Sequence, residues 1–91
     1  IPRDYAALVM RARCRLALEH AEEAQRLGSM AIRVYPQEAQ GHIVTGMADF
    51  LLRRYSQALA RFDRYDQLLP GNPEIVFFEG VCYEGMGRRQ E

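Results

Sequence analysis

Two cysteines, two histidines, a glutamate cluster and two arginine pairs are the residues here whose types could do chemistry. Cys14 and Cys82 could close a disulfide, which needs Cα atoms within about 7 Å. They stand 68 residues apart, twice the internal period described below. Stacked helices lie about 10 Å apart, which separates the two by roughly 20 Å or more, so both are read as small buried residues. His20 and His42 lack a cysteine or an i+4 histidine and fall short of a zinc constellation. His42 is read as a packed ring and His20 as a turn residue. Glu19, Glu22 and Glu23 could supply a carboxylate pair for acid–base work. Their place at the start of a predicted helix instead reads as acidic charge complementing a helix N-terminus. Arg53-Arg54 and Arg88-Arg89 could hold a phosphate or an acidic partner; each pair follows a predicted helix, where positive charge suits the exposed carbonyls. No Gly-rich phosphate loop or nucleophile elbow occurs, and Gly80, Gly85 and Gly87 read as packing and capping glycines. The residues therefore offer no catalytic group, no metal site and no cofactor site, and the chain reads as non-enzymatic.

Composition narrows the class further. Ninety-one residues make one small domain, with 48% hydrophobic and 26% charged residues in the range of globular proteins. Net charge is zero, which argues against a nucleic-acid surface. All the basic residues are arginine, read as codon bias rather than as selection for carboxylate pairing. No run approaches the roughly 20 apolar residues that span a bilayer. The chain opens at Ile1 without an initiator Met and is read as part of a longer protein.

Periodicity supplies the elements that must position these residues. Tyr55, Ala58, Leu59, Phe62, Tyr65 and Leu69 form one stripe of a helix, with Gln57, Arg61, Arg64 and Gln67 on the other faces. Pro70 stops it, Gly71-Asn72-Pro73 makes a turn, and Pro73 suits the first turn of a new helix. Pro2, Pro36 and Pro70 are spaced by 34 residues. The same shift carries Leu18 onto Leu52, Ala24 onto Ala58, Gly46 onto Gly80 and Arg54 onto Arg88, and it aligns Cys14, Ala48 and Cys82. Agreement at one period indicates a helical array. The pattern predicts an all-α helix-turn-helix solenoid of five helices. They span about Arg3 to Leu18, Ala21 to Val34, Gln37 to Arg53, Ser56 to Leu69 and Pro73 to Met86, the last capped by a left-handed Gly87. Units fall near 5–38, 39–72 and 73–91. Ala12, Ala24, Gly46, Ala58 and Gly80 are read as the small residues that let paired helices approach closely.

These features resemble the tetratricopeptide repeat family, in which an aromatic, Leu-Gly and Tyr on helix A precede Ala, an aromatic and Pro on helix B. The middle unit reads His42, Thr45-Gly46, Asp49, Ala58, Phe62, Pro70. The first reads Leu8, Arg11-Ala12, Arg15, Ala24, Gly28, Pro36, and the last Val76, Glu79-Gly80, Tyr83. No unit has Trp, and Gly28 replaces an aromatic. The resemblance implies a right-handed superhelix whose concave face, lined by A helices, holds an extended peptide or a helix. Carried over by register, the peptide-binding positions are Val9, Arg13, Ile43, Met47, Phe50, Phe77 and Val81. All but Arg13 would form one apolar strip, rimmed by Arg13, Gln40, Glu74 and Glu84, and such a strip marks either a binding surface or core covered by further chain. The carboxylate-clamping groove of this family uses Lys and Asn; Val9, Arg13, Met47, Phe77 and Val81 occupy those positions here, and since only Arg13 could serve, that specificity is not expected.

Three functions follow. The first is a scaffold for a protein or peptide partner, without nucleic acid or membrane insertion. The second is an accessory domain of a larger enzyme: residues 68–89 resemble repeat tails of bacterial zinc-dependent cell-envelope metallopeptidases, which implies a bacterial cytoplasmic or periplasmic setting. The third is a homodimer through the fifth helix, whose Val76, Gly80 and Tyr83 face lacks a covering B helix.

Overall fold

The computed structural model describes the backbone of residues 1–90 and side chains through Gly87. Five helices follow in order: α1 (Arg3–Ala17), α2 (Ala21–Val34), α3 (Ala39–Leu51), α4 (Tyr55–Leu68) and α5 (Pro73–Gln90). Among the described residues there is no strand. Each helix packs against the next, α1 also touches α3, and the array measures 44 × 28 × 19 Å. This is the five-helix repeat architecture that the period predicts.

The period is written into the backbone. Glu19 and Arg53, 34 residues apart, are the two non-glycine residues with positive φ among the described residues, at 63° and 61°. His20 N–H donates to Arg15 O and Glu19 N–H to Leu16 O; Arg54 and Arg53 repeat this with Asp49 and Phe50. These paired bonds are the Schellman closure of a helix C-terminus. Leu18 and Leu52, with φ of −89° and −85°, close the A helices; Tyr35 and Leu69, at −151° and −145°, close the B helices. At the last turn Asn72 caps α5, its Oδ1 accepting the Glu74 N–H at 2.9 Å. Gly71 there has φ +95°, which favours glycine.

Two apolar clusters alternate along the stack. Tyr5, Val9, Ala12, Leu27, Ala31 and Val44 join α1, α2 and α3. Ala39, Ala58, Phe62, Tyr65, Ile75 and Cys82 join α3, α4 and α5, and Ile43 packs against both clusters. Ala12, Ala24 and Ala58 are fully buried. A Cβ on Gly46 would stand 2.8 Å from Phe62 Cε1, so the α3–α4 contact does require a small residue there.

Four expectations are corrected. Gly80 meets nothing within 4 Å, because no described helix packs on α5 as α4 packs on α3. Gly87 is helical rather than left-handed, and α5 runs on to Gln90. Glycine tolerates either conformation, and no described helix turns back at that point. Cys14 is exposed while Cys82 is buried, because their shared position faces the preceding helix and α1 has none among the described residues. α3 begins at Ala39, since Pro36 and Gln37 form a turn.

Candidate functional site

The seven positions assigned to peptide binding fall into three environments. Val9 is buried in the first cluster, shut in by the α3 helix stacked on it, and so lies in the core rather than on an open strip. Arg13 is exposed on α1, and its Nη2 donates to Oε1 of Gln40 on α3, tying two A helices together. Ile43, Met47, Phe50 and Val81 are half-buried, and Phe77 is 67% exposed. Register explains the gradient from Val9 through Ile43 to Phe77. The position faces the next unit, and each successive copy has less chain stacked over it.

An aromatic ladder supports this surface. Phe62 and Phe78 stack at 5.4 Å between centroids, Phe50 meets Phe78 and Tyr55 edge-on at 6.0 Å each, and Phe77 meets Phe78 at 5.8 Å. Phe78 thus carries α4, α3 and the exposed Phe77 on one ring system. Aromatic pairs in such geometries add about 0.5–1.5 kcal/mol beyond burial. Beside them a cavity of about 640 Å³ is lined by Leu52, Arg53, Arg54, Tyr55, Val81, Glu84 and Gly85. One repeat earlier the same inter-unit crevice, about 570 Å³, is lined by Glu19 to Glu23 with Leu51 and Leu52.

The groups with chemical potential are engaged structurally. Glu22 Oε1 pairs with Arg54 Nη2 at 3.0 Å, bridging the A–B turns of adjacent units. Glu23 pairs with Arg15 at 3.3 Å and lies 3.6 Å from His20, which precedes α2. His42 is buried, and its Nε2–H donates to Pro36 O at 2.9 Å. Its Nδ1 has no partner, and burial holds its pKa below the ordinary histidine value. The side chains of Arg88 and Arg89 lie outside the described residues. No group of three or more His, Cys, Asp or Glu among the described residues could hold a metal, and no described helix is long and apolar enough to cross a membrane.

Three structural residues escaped the sequence reading. Tyr5 is buried, and its hydroxyl accepts the Gly41 N–H at 2.8 Å, fastening α1 to the first turn of α3. Burial raises its pKa. Asp49 is 1% exposed with Oδ1 unpartnered, and burial raises its pKa against the opposing pull of Arg54 and Arg61. Gly28 lies against Thr45, where an added Cβ would overlap Thr45 Oγ1. Its signal was in the sequence, as the glycine standing in the aromatic position of the first B helix.

No family model matches the chain. It is similar to anaphase-promoting complex subunit 7 of Homo sapiens, at 30% identity over 70 residues, and equally to the Mus musculus protein of the same name. Each match covers 77% of this chain and 12% of the relative, so the chain spans a small part of the curated relatives it matches. Both relatives are mammalian, and the likeness carries neither the bacterial nor the metallopeptidase resemblance of residues 68–89. What the fold supports is a helical-repeat chain.

Proposed function

We propose that this chain is a tetratricopeptide-type interaction module that holds an apolar peptide or helix against the A-helix face of α3 and α5. The reading is carried by Phe77. A large aromatic side chain stands 67% exposed beside half-buried Met47, Phe50 and Val81, backed by a rigid ring system. An exposed apolar surface of this kind marks an interaction site, and methionine lets it adapt to differently shaped side chains. Arg13 and Gln40 satisfy each other at the far end and form a polar margin to the surface. The likeness to a named subunit of a protein complex is a second, independent support.

The test is a peptide-display panel screened against the immobilised chain, with affinities then measured for selected apolar peptides. Phe77→Ala is expected to weaken binding about 10-fold, the loss typical of an interface aromatic. Phe50→Ala, checked by circular dichroism for retained helicity, is expected to do the same. Binding undiminished in both variants would remove the assignment.

A further inference from the structure

His42 and Asp49 are buried polar residues that the apolar surface does not use. They stand on α3, 2% and 1% exposed, with buried Gly46 between them. Positions i, i+4 and i+7 share one stripe of a helix. That stripe faces α4, because a Cβ on Gly46 would meet Phe62 Cε1 at 2.8 Å and Arg61 Cβ at 3.2 Å. His42 Nε2–H donates to Pro36 O, which leaves Nδ1 as a bare acceptor. Neither that Nδ1 nor Asp49 Oδ1 has a partner among the described residues. Two polar atoms are thus shut into a close helix contact without hydrogen bonds.

The charges around them come from several elements. Arg61 and Arg64 of α4 act on His42, while Arg54, ahead of α4, and Arg61 act on Asp49. Glu22 of α2 holds Arg54 at 3.0 Å. Elsewhere α2 meets α3 through Leu27, Gly28 and Ala31, which carry no charge. α1 presents Arg13, whose guanidinium is bonded to Gln40. A proton on Nδ1 would add a cation to a buried site already facing two arginines, and its N–H would find no acceptor in place.

We propose that the α3–α4 contact is an acid-released seam, closed while His42 is neutral and opened by uptake of a proton at Nδ1. Linkage sets the direction. Histidine ordinarily titrates at 6.5, and burial, aided by the arginines, holds His42 below that in the fold. The stability that neutral His42 contributes is complete above 6.5 and is lost as pH falls through the lower, folded value. Asp49 works oppositely. Burial lifts its carboxyl above the ordinary 3.8, so its contribution is complete below 3.8 and is lost as pH rises through the folded value. Acid therefore loosens the seam through His42, and Asp49 returns part of the loss in stronger acid. The opening reaches beyond the seam, since Phe62 stacks on Phe78, the ring that carries Phe50 and Phe77.

Thermal unfolding by circular dichroism from about pH 8 to about pH 4 tests this in the wild-type chain, His42→Phe and His42→Gln. Phenylalanine supplies the aromatic that the repeat pattern has there. Glutamine keeps a donor for Pro36 O without a titrating ring, and keeps the test open where the larger ring does not pack. The wild-type midpoint is expected to fall further between about pH 8 and about pH 5 than that of either variant, with up to about one more proton taken up per unfolding chain. Groups common to the three chains cancel. Asp49→Asn should fall as the wild type does and lack the recovery in stronger acid. Amide exchange, compared between wild type and His42→Gln at the same acidic pH, locates the opening. Wild-type protection should drop at Gly46 and Phe62 and hold at Ala24 and Ala31. Parallel midpoint curves in the wild type and both variants would overturn the proposal. So would a His42 ring seen by nuclear magnetic resonance to take up its proton while the Gly46 and Phe62 amides stay protected, or a loss of protection spread evenly over all the helices.

Discussion

Gly28 and Thr45 show how a single substitution in a repeat is absorbed by its neighbour. Where the repeat pattern has an aromatic, α2 carries glycine, and where it has leucine, α3 carries a buried threonine whose Oγ1 donates to Gly41 O at 2.7 Å. The hydroxyl occupies the space that a Cβ at residue 28 would need. Gly28→Ala is therefore expected to destabilise the chain by about 1 kcal/mol or more, overlap outweighing the gain in helix propensity. Thr45→Ala in the same chain should recover part of that loss, giving a coupling of about 0.5–3 kcal/mol by urea denaturation of the four-member cycle. Additive effects would mean the two residues do not share one space. The buried polar residues His42 and Asp49 belong to this scale as well. Each fills a position between α3 and its neighbours that the pattern gives to an aromatic, and each retains an unpartnered atom.

At the scale of elements, the turn between A and B helices repeats more faithfully than its sequence. Glu19 and Arg53 share neither charge nor shape, yet both take the left-handed conformation, because the hydrogen bonds to Leu16 and Phe50 close the helix only in that geometry. A side chain in this region costs about 1–2 kcal/mol relative to a helical conformation, which glycine escapes. Glu19→Gly is accordingly expected to stabilise the chain by roughly 0.5–1 kcal/mol, after the greater entropy of glycine in the unfolded state is counted. A lowered thermal midpoint in that variant would show that Glu19 is held by contacts rather than by the turn. The helix boundaries illustrate the same point from the other side. Periodicity placed each helix, but capping bonds decided where it begins and ends.

At the scale of the whole array, the five helices form one stack, and its stability is distributed accordingly. α2 and α3 are packed on both sides, while α5 rests chiefly on α4 through Ile75, Phe78 and Cys82. Linear arrays open from the least supported unit. Native-state hydrogen exchange should therefore find α5 least protected and α2 and α3 most protected. Uniform protection across all five helices would show a single cooperative unit instead. The same distribution shapes function, because the element least buried by its own chain carries the exposed Phe77, Val76 and Tyr83.

The sequence by itself determined the five-helix order, the 34-residue period, the close contacts at Ala12, Ala24, Gly46 and Ala58, and the structural character of His42. All of these are local or periodic, and a side chain's type and spacing are enough to show them. Only tertiary structure decided which copies of a repeated position are covered. Val9, Ile43 and Phe77 are one position in the pattern, yet they run from buried to exposed; Cys14 and Cys82 are another, with the order reversed. Burial depends on what is stacked above and below each unit, and the spacing of residues within a unit carries no information about that.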